Sequence, residues 1–299
     1  MSTVYLGTSE FAAAILDRLA ASAAHRPVLV LTRPDRPSGR GRKLHSPPVA
    51  ERARALGIEL AQPDSVNDPD ARALIEPGHT VVVCAFGALI KEPLLSEHEI
   101  LNVHPSLLPR WRGAAPIERA IMAGDAHTGV SIMRLTAGLD SGPVCLLAEE
   151  PILAQDTYGS LSARLEQVGG DLLIRALDER PQFIEQIEDG VTYAEKIAAA
   201  DRLLDPQRPA VELERQVRAL HPHIGARLEL PDGTLLGVHS AALSADGHSM
   251  GDPVVLEHDG RLLLNCAEGV LELLVVQPPG GRAMDASAYL RGHGAPGRV

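Results

Sequence analysis

Lysine is nearly missing from this 299-residue chain: Lys43, Lys91 and Lys196 are its whole complement, so its 28 basic residues are almost all arginine. Cysteine is equally sparse, with Cys84, Cys145 and Cys266 far apart and no C-x-x-C pair. That count and spacing exclude a disulfide framework and the common structural zinc patterns, and fit a reducing compartment with each thiol a small buried residue. Aromatic residues make up only 3%, and no apolar run approaches the roughly 20 residues that span a bilayer. The opening Met1-Ser2-Thr3-Val4-Tyr5-Leu6 lacks a basic segment ahead of an apolar one, so it does not read as a secretion signal. Acid outweighs base, 28 − 39 = −11, which opposes nonspecific nucleic-acid binding overall but leaves room for a local basic patch. With 45% hydrophobic and 22% charged residues the chain is not disordered, and its length suits two domains. The expectation is a soluble cytoplasmic protein without a membrane segment.

What is present in the first half is an alternation of strand and helix signals. Thr3-Val4-Tyr5-Leu6 is a short apolar run broken by Gly7-Thr8-Ser9, and from Phe11 the apolar positions Ala12, Ile15, Leu16 and Leu19 recur at helical spacing. Val28-Leu29-Val30-Leu31, residues 80–85, Ile100-Leu101-Asn102-Val103-His104 and residues 130–135 read as strands. Residues 48–56 and 115–123 read as helices, ended by Gly57 and Gly124. Such alternation predicts an α/β fold, a Rossmann-like parallel sheet wound on both faces. Two prolines in Asp205-Pro206-Gln207-Arg208-Pro209 mark a linker, residues 211–220 a helix, and the turn signals at 231–233, 245–247 and 258–260 a small β-barrel. The predicted division is 1–185, a linker over 186–208, and 209–299.

Three stretches carry chemistry. The first, Arg33-Pro34-Asp35-Arg36-Pro37-Ser38-Gly39-Arg40-Gly41-Arg42-Lys43, holds five cations and one acid, 5 − 1 = +4. Its prolines and glycines predict a loop, and arginine forks pair well with phosphate oxygens. The second is Leu101-Asn102-Val103-His104-Pro105-Ser106-Leu107-Leu108-Pro109-Arg110-Trp111-Arg112-Gly113. Asn102 and His104 lie two apart near a strand end, so both side chains leave one face, where active sites of open α/β sheets gather. An amide donor beside an imidazole suits stabilising an oxyanion and moving a proton. The third is Gly138-Leu139-Asp140-Ser141-Gly142-Pro143, in which Asp140 is placed to orient His104. Its likeness to a serine-protease nucleophile turn conflicts with the α/β pattern. Gly7-Thr8-Ser9-Glu10 lacks the second glycine of a dinucleotide fingerprint and reads as an ordinary strand-to-helix turn. His221 and His223 have no third ligand nearby, and no metal site is expected.

These stretches, in order, with Thr192-Tyr193-Ala194-Glu195-Lys196 and Val276-Gln277-Pro278-Pro279-Gly280, resemble the methionyl-tRNA formyltransferase family over nearly the whole chain. The resemblance implies a Rossmann-like formyltransferase domain followed by an OB-fold-like C-terminal domain. It implies 10-formyltetrahydrofolate as the donor co-substrate, initiator methionyl-tRNA as the acceptor, a cytoplasmic monomer, and no metal. By match to the family motif, Asn102, His104 and Asp140 take the catalytic positions. Phe86, Gly87, Leu89 and Ile90, with Ser106, Leu107, Leu108 and Pro109, would hold folate, and Arg36, Arg40, Arg42 and Lys43 would contact tRNA. One feature runs against a tRNA-binding C-terminal domain: residues 205–299 carry eight arginines and twelve acids, 8 − 12 = −4. Two other readings are an N-formyltransferase for an amino-sugar nucleotide or ribonucleotide amine, and a tRNA-binding module without catalysis. The arginine loop speaks against the first, and the presence of Asn102, His104 and Asp140 against the second.

Overall fold

A computed structural model of the chain describes residues 2–38, 43–244 and 255–294, apart from the side chains of Ser38, Lys43 and Leu256. It gathers into two compact units, one of Met1–Pro116, His127–Pro151 and Ser162–Ala194, the other of Ile117–Ala126, Ile152–Leu161 and Glu195–Val299.

The first unit is built on a seven-stranded sheet. Across the sheet the strands run Val144–Pro151, His127–Arg134, Ile100–His104, Thr80–Cys84, Thr3–Gly7, Pro27–Leu31 and Glu59–Ala61. The last five pair in parallel, as the alternation of strand and helix predicts. The sheet is not parallel throughout: His127–Arg134 runs antiparallel to Ile100–His104, and Val144–Pro151 antiparallel to His127–Arg134. This edge departs because 127–134 and 144–151 are joined by a short loop, which permits a hairpin-like return and leaves no length for a crossover helix.

Strand alternation divides the core. Val4, Leu6, Val81, Val83 and Ile100 share one face with Phe86 and Ile90. On the opposite face, Gly169 of the 22-residue helix Tyr158–Glu179 lies against Ile15, Val103 and Val130. A Cβ there would meet those side chains at 3.3–3.5 Å, so glycine lets this helix sit close to the sheet. Ser9 caps helix Glu10–Ala21 by accepting from Ala12 N at 3.2 Å, and Gly57, in the left-handed conformation, ends helix Pro48–Leu56. The described parts of the arginine segment are not simple loop: Arg36–Ser38 pairs antiparallel with Lys43–His45.

The second unit carries an antiparallel sheet in the order Ala226–Glu229, Leu235–Leu243, Val270–Gln277, Arg261–Asn265 and Val255–His258. Its core joins Leu213, Val217 and Leu220 of helix Ala210–Leu220 to Leu236, Val238, Leu262, Leu271 and Val276. The 258–260 turn signal falls where Asp259 and Gly260 both take positive φ, 50° and 74°, as a tight hairpin turn requires. The signal at 231–233 also falls on a turn, with Thr234 N donating to Asp232 at 2.9 Å. The third, 245–247, lies outside the described residues. In this unit His223 Nε2 lies 2.9 Å from Glu118 and its ring stacks on Tyr158 at 3.6 Å.

Candidate active site

Strand Ile100–His104 supplies the first two side chains. Asn102 is paired in register with Met133 and Val83, and His104 with Ser131, so both sit at the carboxyl end of a central strand. Both are buried, at 7% and 4% exposure, which is unusual for polar side chains and requires a reason. For His104 the reason is visible. Its Nε2 lies 2.8 Å from the Trp111 carbonyl, and its Nδ1 lies 3.7 Å from Asp140 Oδ2. A carbonyl only accepts, so Nε2 carries a hydrogen and Nδ1 is left to gain or lose a proton beside the carboxylate. The Asn102 side-chain amide has no hydrogen-bond partner among the described residues, which leaves its donors for a ligand.

The turn after the strand is tied down by serines. Ser106 Oγ donates to the Arg110 carbonyl at 2.6 Å, Ser131 Oγ donates to the Ser106 carbonyl at 2.6 Å, and Leu108 N donates to Ser131 Oγ at 3.1 Å. The chain then passes Trp111 at φ 63°, with the Arg110 guanidinium 4.4 Å from its ring centre, and Trp111 N donates to Thr192 Oγ1 at 2.9 Å. Gly113 has φ 123° and lies so close to the Ala194 carbonyl that a Cβ would stand 2.7 Å from it. That closeness aims Gly113 N at Asp140 Oδ2, 2.8 Å away.

Asp140 holds φ 45°, a conformation that costs a residue with a Cβ about 1 kcal/mol or more unless its surroundings impose it. The loop is compact around it: a Cβ on Gly142 would collide with the Arg134 carbonyl. His104 and Asp140 thus meet in the first unit, with Asn102 two residues before His104 on the same face of the strand and Asp140 on a loop 36 residues downstream (140 − 104 = 36).

The other expected site residues fall as follows. Phe86 and Ile90 lie in the apolar core beside Val83 and Leu94, while Leu89 is 67% exposed and Gly87 takes φ 71°. Their segment is held by its carbonyls: Thr8 Oγ1 donates to Phe86 at 2.7 Å, Arg33 to Gly87 at 3.4 Å, and Asn67 to Leu89 at 2.8 Å. Ser106 is fully buried and Leu108 nearly so, with Leu107 and Pro109 half-buried. Arg36 is exposed on the short hairpin, and the Lys43 backbone pairs with Ser38. Arg40 and Arg42 lie outside the described residues. Near Asp140, Arg112 lies in the 101–113 stretch but gets no role from the sequence, and Gln186 escapes it altogether; nothing local marks Gln186 within Glu185-Gln186-Ile187-Glu188. Among the described residues no group of three or more His, Cys, Asp or Glu could hold a metal ion.

Comparison with known proteins bears on what this arrangement serves. The formyl transferase family pattern matches residues 1–177, and that of the formyl transferase C-terminal domain matches residues 196–294. A methionyl-tRNA formyltransferase of Ruegeria pomeroyi is 41% identical, over 99% of this chain and 98% of that protein. One from Halorhodospira halophila is 42% identical over 97% and 95%. The chain belongs to the methionyl-tRNA formyltransferase family. Its fold is shared with more distant solved structures. WlaRD, a sugar 3N-formyl transferase crystallised with dTDP and 5-N-formyl-THF, matches with a TM-score of 0.65 at 16% identity, over 91% of this chain and 97% of that one. HypX from Aquifex aeolicus in complex with tetrahydrofolic acid matches at 0.62 and 17% identity, over 97% of this chain and 47% of that one. In this methionyl-tRNA formyltransferase family member, Asn102 and His104 share one face at the carboxyl end of the central strand, and Asp140 lies beside His104.

Proposed function

We infer that the enzyme transfers the formyl group of 10-formyltetrahydrofolate to the amino group of initiator methionyl-tRNA, giving N-formylmethionyl-tRNA for translation initiation. The observation that carries this reading is the likeness to methionyl-tRNA formyltransferases across both halves of the chain. The folate co-substrate brings a formyl carbon ready for attack by an uncharged amine. The buried Asn102 amide, with donors unused by the described protein, fits the formyl oxygen on which negative charge develops. As the new N–C bond forms and the bond to the folate nitrogen breaks, the amine must lose one proton and the folate nitrogen gain one.

His104 is placed to carry that proton on Nδ1, because Nε2 is occupied with the Trp111 carbonyl. Asp140 stabilises the ring when Nδ1 is protonated, and Gly113 N fixes the carboxylate for that task. We assign folate contacts to Phe86, Gly87, Leu89 and Ile90 and to the 106–109 turn. Arg36, Arg40, Arg42 and Lys43 are assigned to phosphates of the acceptor stem. We divide the chain into a catalytic domain over 1–185, a linker over 186–208 and an OB-fold-like domain over 209–299, acting as a cytoplasmic monomer. No helix among the described residues is long and apolar enough to cross a membrane.

The test is substitution at the strand. Asn102→Ala and His104→Ala proteins should bind 10-formyltetrahydrofolate as wild type does, in a fluorescence titration, yet lose transfer to methionyl-tRNA. Transfer that survived both substitutions would overturn the assignment.

A further inference from the structure

The loop that carries Asp140 is held by a side chain far from it in sequence. Gln186 Nε2 donates to the Asp140 carbonyl at 2.8 Å and to the Gly142 carbonyl at 2.7 Å. Its Oε1 accepts from Arg112 Nε at 3.0 Å. Arginine can only donate and the two carbonyls can only accept, so each end of the Gln186 amide has one possible orientation. Glutamate in the same place would have no hydrogen for either carbonyl, and asparagine would be one carbon too short.

Arg112 is itself fixed. It is 3% exposed, its backbone N donates to the Thr192 carbonyl at 2.9 Å, and its guanidinium also reaches Glu188 at 3.5 Å. The segment bearing Gln186 is delivered by paired backbone bonds between Ile184 and Val144, at 2.8 and 2.9 Å. Neighbouring residues 112 and 113 therefore grip Asp140 twice. Gly113 N takes the carboxylate directly, and Arg112 takes the main chain through Gln186. Asp140 needs such a grip because φ 45° is a conformation that persists only where the surroundings impose it.

We propose that Gln186, oriented by Arg112, is a positioning residue that holds the Asp140 carboxylate at its working distance from His104 Nδ1. The proposal rests on the reading of Asp140 and His104 given above. Its consequence is that Gln186 acts on the rate of transfer and not on substrate affinity.

Gln186→Glu keeps size and shape while removing both donors. It should lower kcat about 10- to 100-fold, the order of loss seen when the hydrogen-bond partner that orients a metal-ligating side chain is removed. KM for either substrate and the thermal unfolding midpoint should stay near wild type. Its rate relative to wild type should recover as pH falls through the carboxyl range, where the introduced carboxyl group becomes protonated and regains one donor; a role in stability alone would not produce that recovery. Arg112→Lys, which keeps the charge but loses the fixed fork, should lower kcat in the same direction and serves if Gln186→Glu folds poorly. In an Asp140→Asn background, Gln186→Glu should cost little more, since both changes act through one carboxylate. Wild-type kcat in Gln186→Glu alongside an impaired Asp140→Asn would overturn this proposal alone. Wild-type kcat in Asp140→Asn would overturn the reading of the site beneath it.

Discussion

Asp140→Asn isolates the charge on Asp140 from its shape. Asparagine can still accept from Gly113 N through its side-chain oxygen, so the 138–142 loop should keep its place. What disappears is the attraction between a carboxylate and the His104 imidazolium across 3.7 Å. At an effective dielectric near 20, unit charges at that distance attract by about 4.5 kcal/mol. The two side chains are only 6% and 14% exposed, so solvent screens the pair little. The asparagine dipole recovers part of the attraction, and a net loss of about 2–3 kcal/mol translates into roughly a 30- to 160-fold fall in rate. Single-turnover transfer at saturating donor and charged tRNA reads this loss without a contribution from binding or release. Wild-type rates of formyl transfer by Asp140→Asn across the pH range would exclude a role for the Asp140 charge.

Further predictions concern RNA, the core and acid. Arg36→Ala combined with Arg40→Ala or Arg42→Ala should raise KM for tRNA and leave KM for the folate donor unchanged. The slope of log affinity against log salt should drop by about one for each phosphate contact removed, measured by filter binding over a salt series. Leu271 is fully buried in the core of the second unit, so Leu271→Ala should cost about 2–5 kcal/mol in a denaturant titration. Asp201 accepts from Arg119 at 3.0 and 3.2 Å, which holds its carboxyl below the ordinary range. A depressed carboxyl stabilises the fold above its unfolded value, near about pH 4, and that contribution is lost as pH falls through the lower folded value. Asp201→Asn should therefore lower stability at neutral pH and flatten its decline in acid, seen in melting curves at stepped pH.

Much of the fold is legible because several local signals agree. Helix Pro48–Leu56 combines Pro48 at its first position with Gly57 as a left-handed cap, and both its ends fall where the sequence predicts. Strand Ile100–His104 is equally plain, since Pro105 enforces extended backbone before it. Helix Tyr158–Glu179, the longest in the described chain, is missing from the predicted elements although Leu161, Leu165, Leu172 and Leu173 recur at helical spacing. Its Gly169-Gly170 pair weakens the local signal by about 1 kcal/mol per glycine. Only the packing of Gly169 on Ile15, Val103 and Val130 explains why glycine is tolerated there. Asn102 and His104 are readable as a pair because strand periodicity places them together. Gln186 is not readable: its importance lies in three partners at positions 112, 140 and 142, and no local pattern encodes contacts across such separations.

Donor and acceptor can be identified together in a single transfer assay. Purified protein would be given 10-formyltetrahydrofolate with charged initiator methionyl-tRNA, and in parallel with charged elongator methionyl-tRNA. The initiator should be formylated rapidly and the elongator little. Failure to formylate either RNA, with folate binding intact and transfer to a small amine such as an amino-sugar nucleotide, would contradict the assignment of the acceptor.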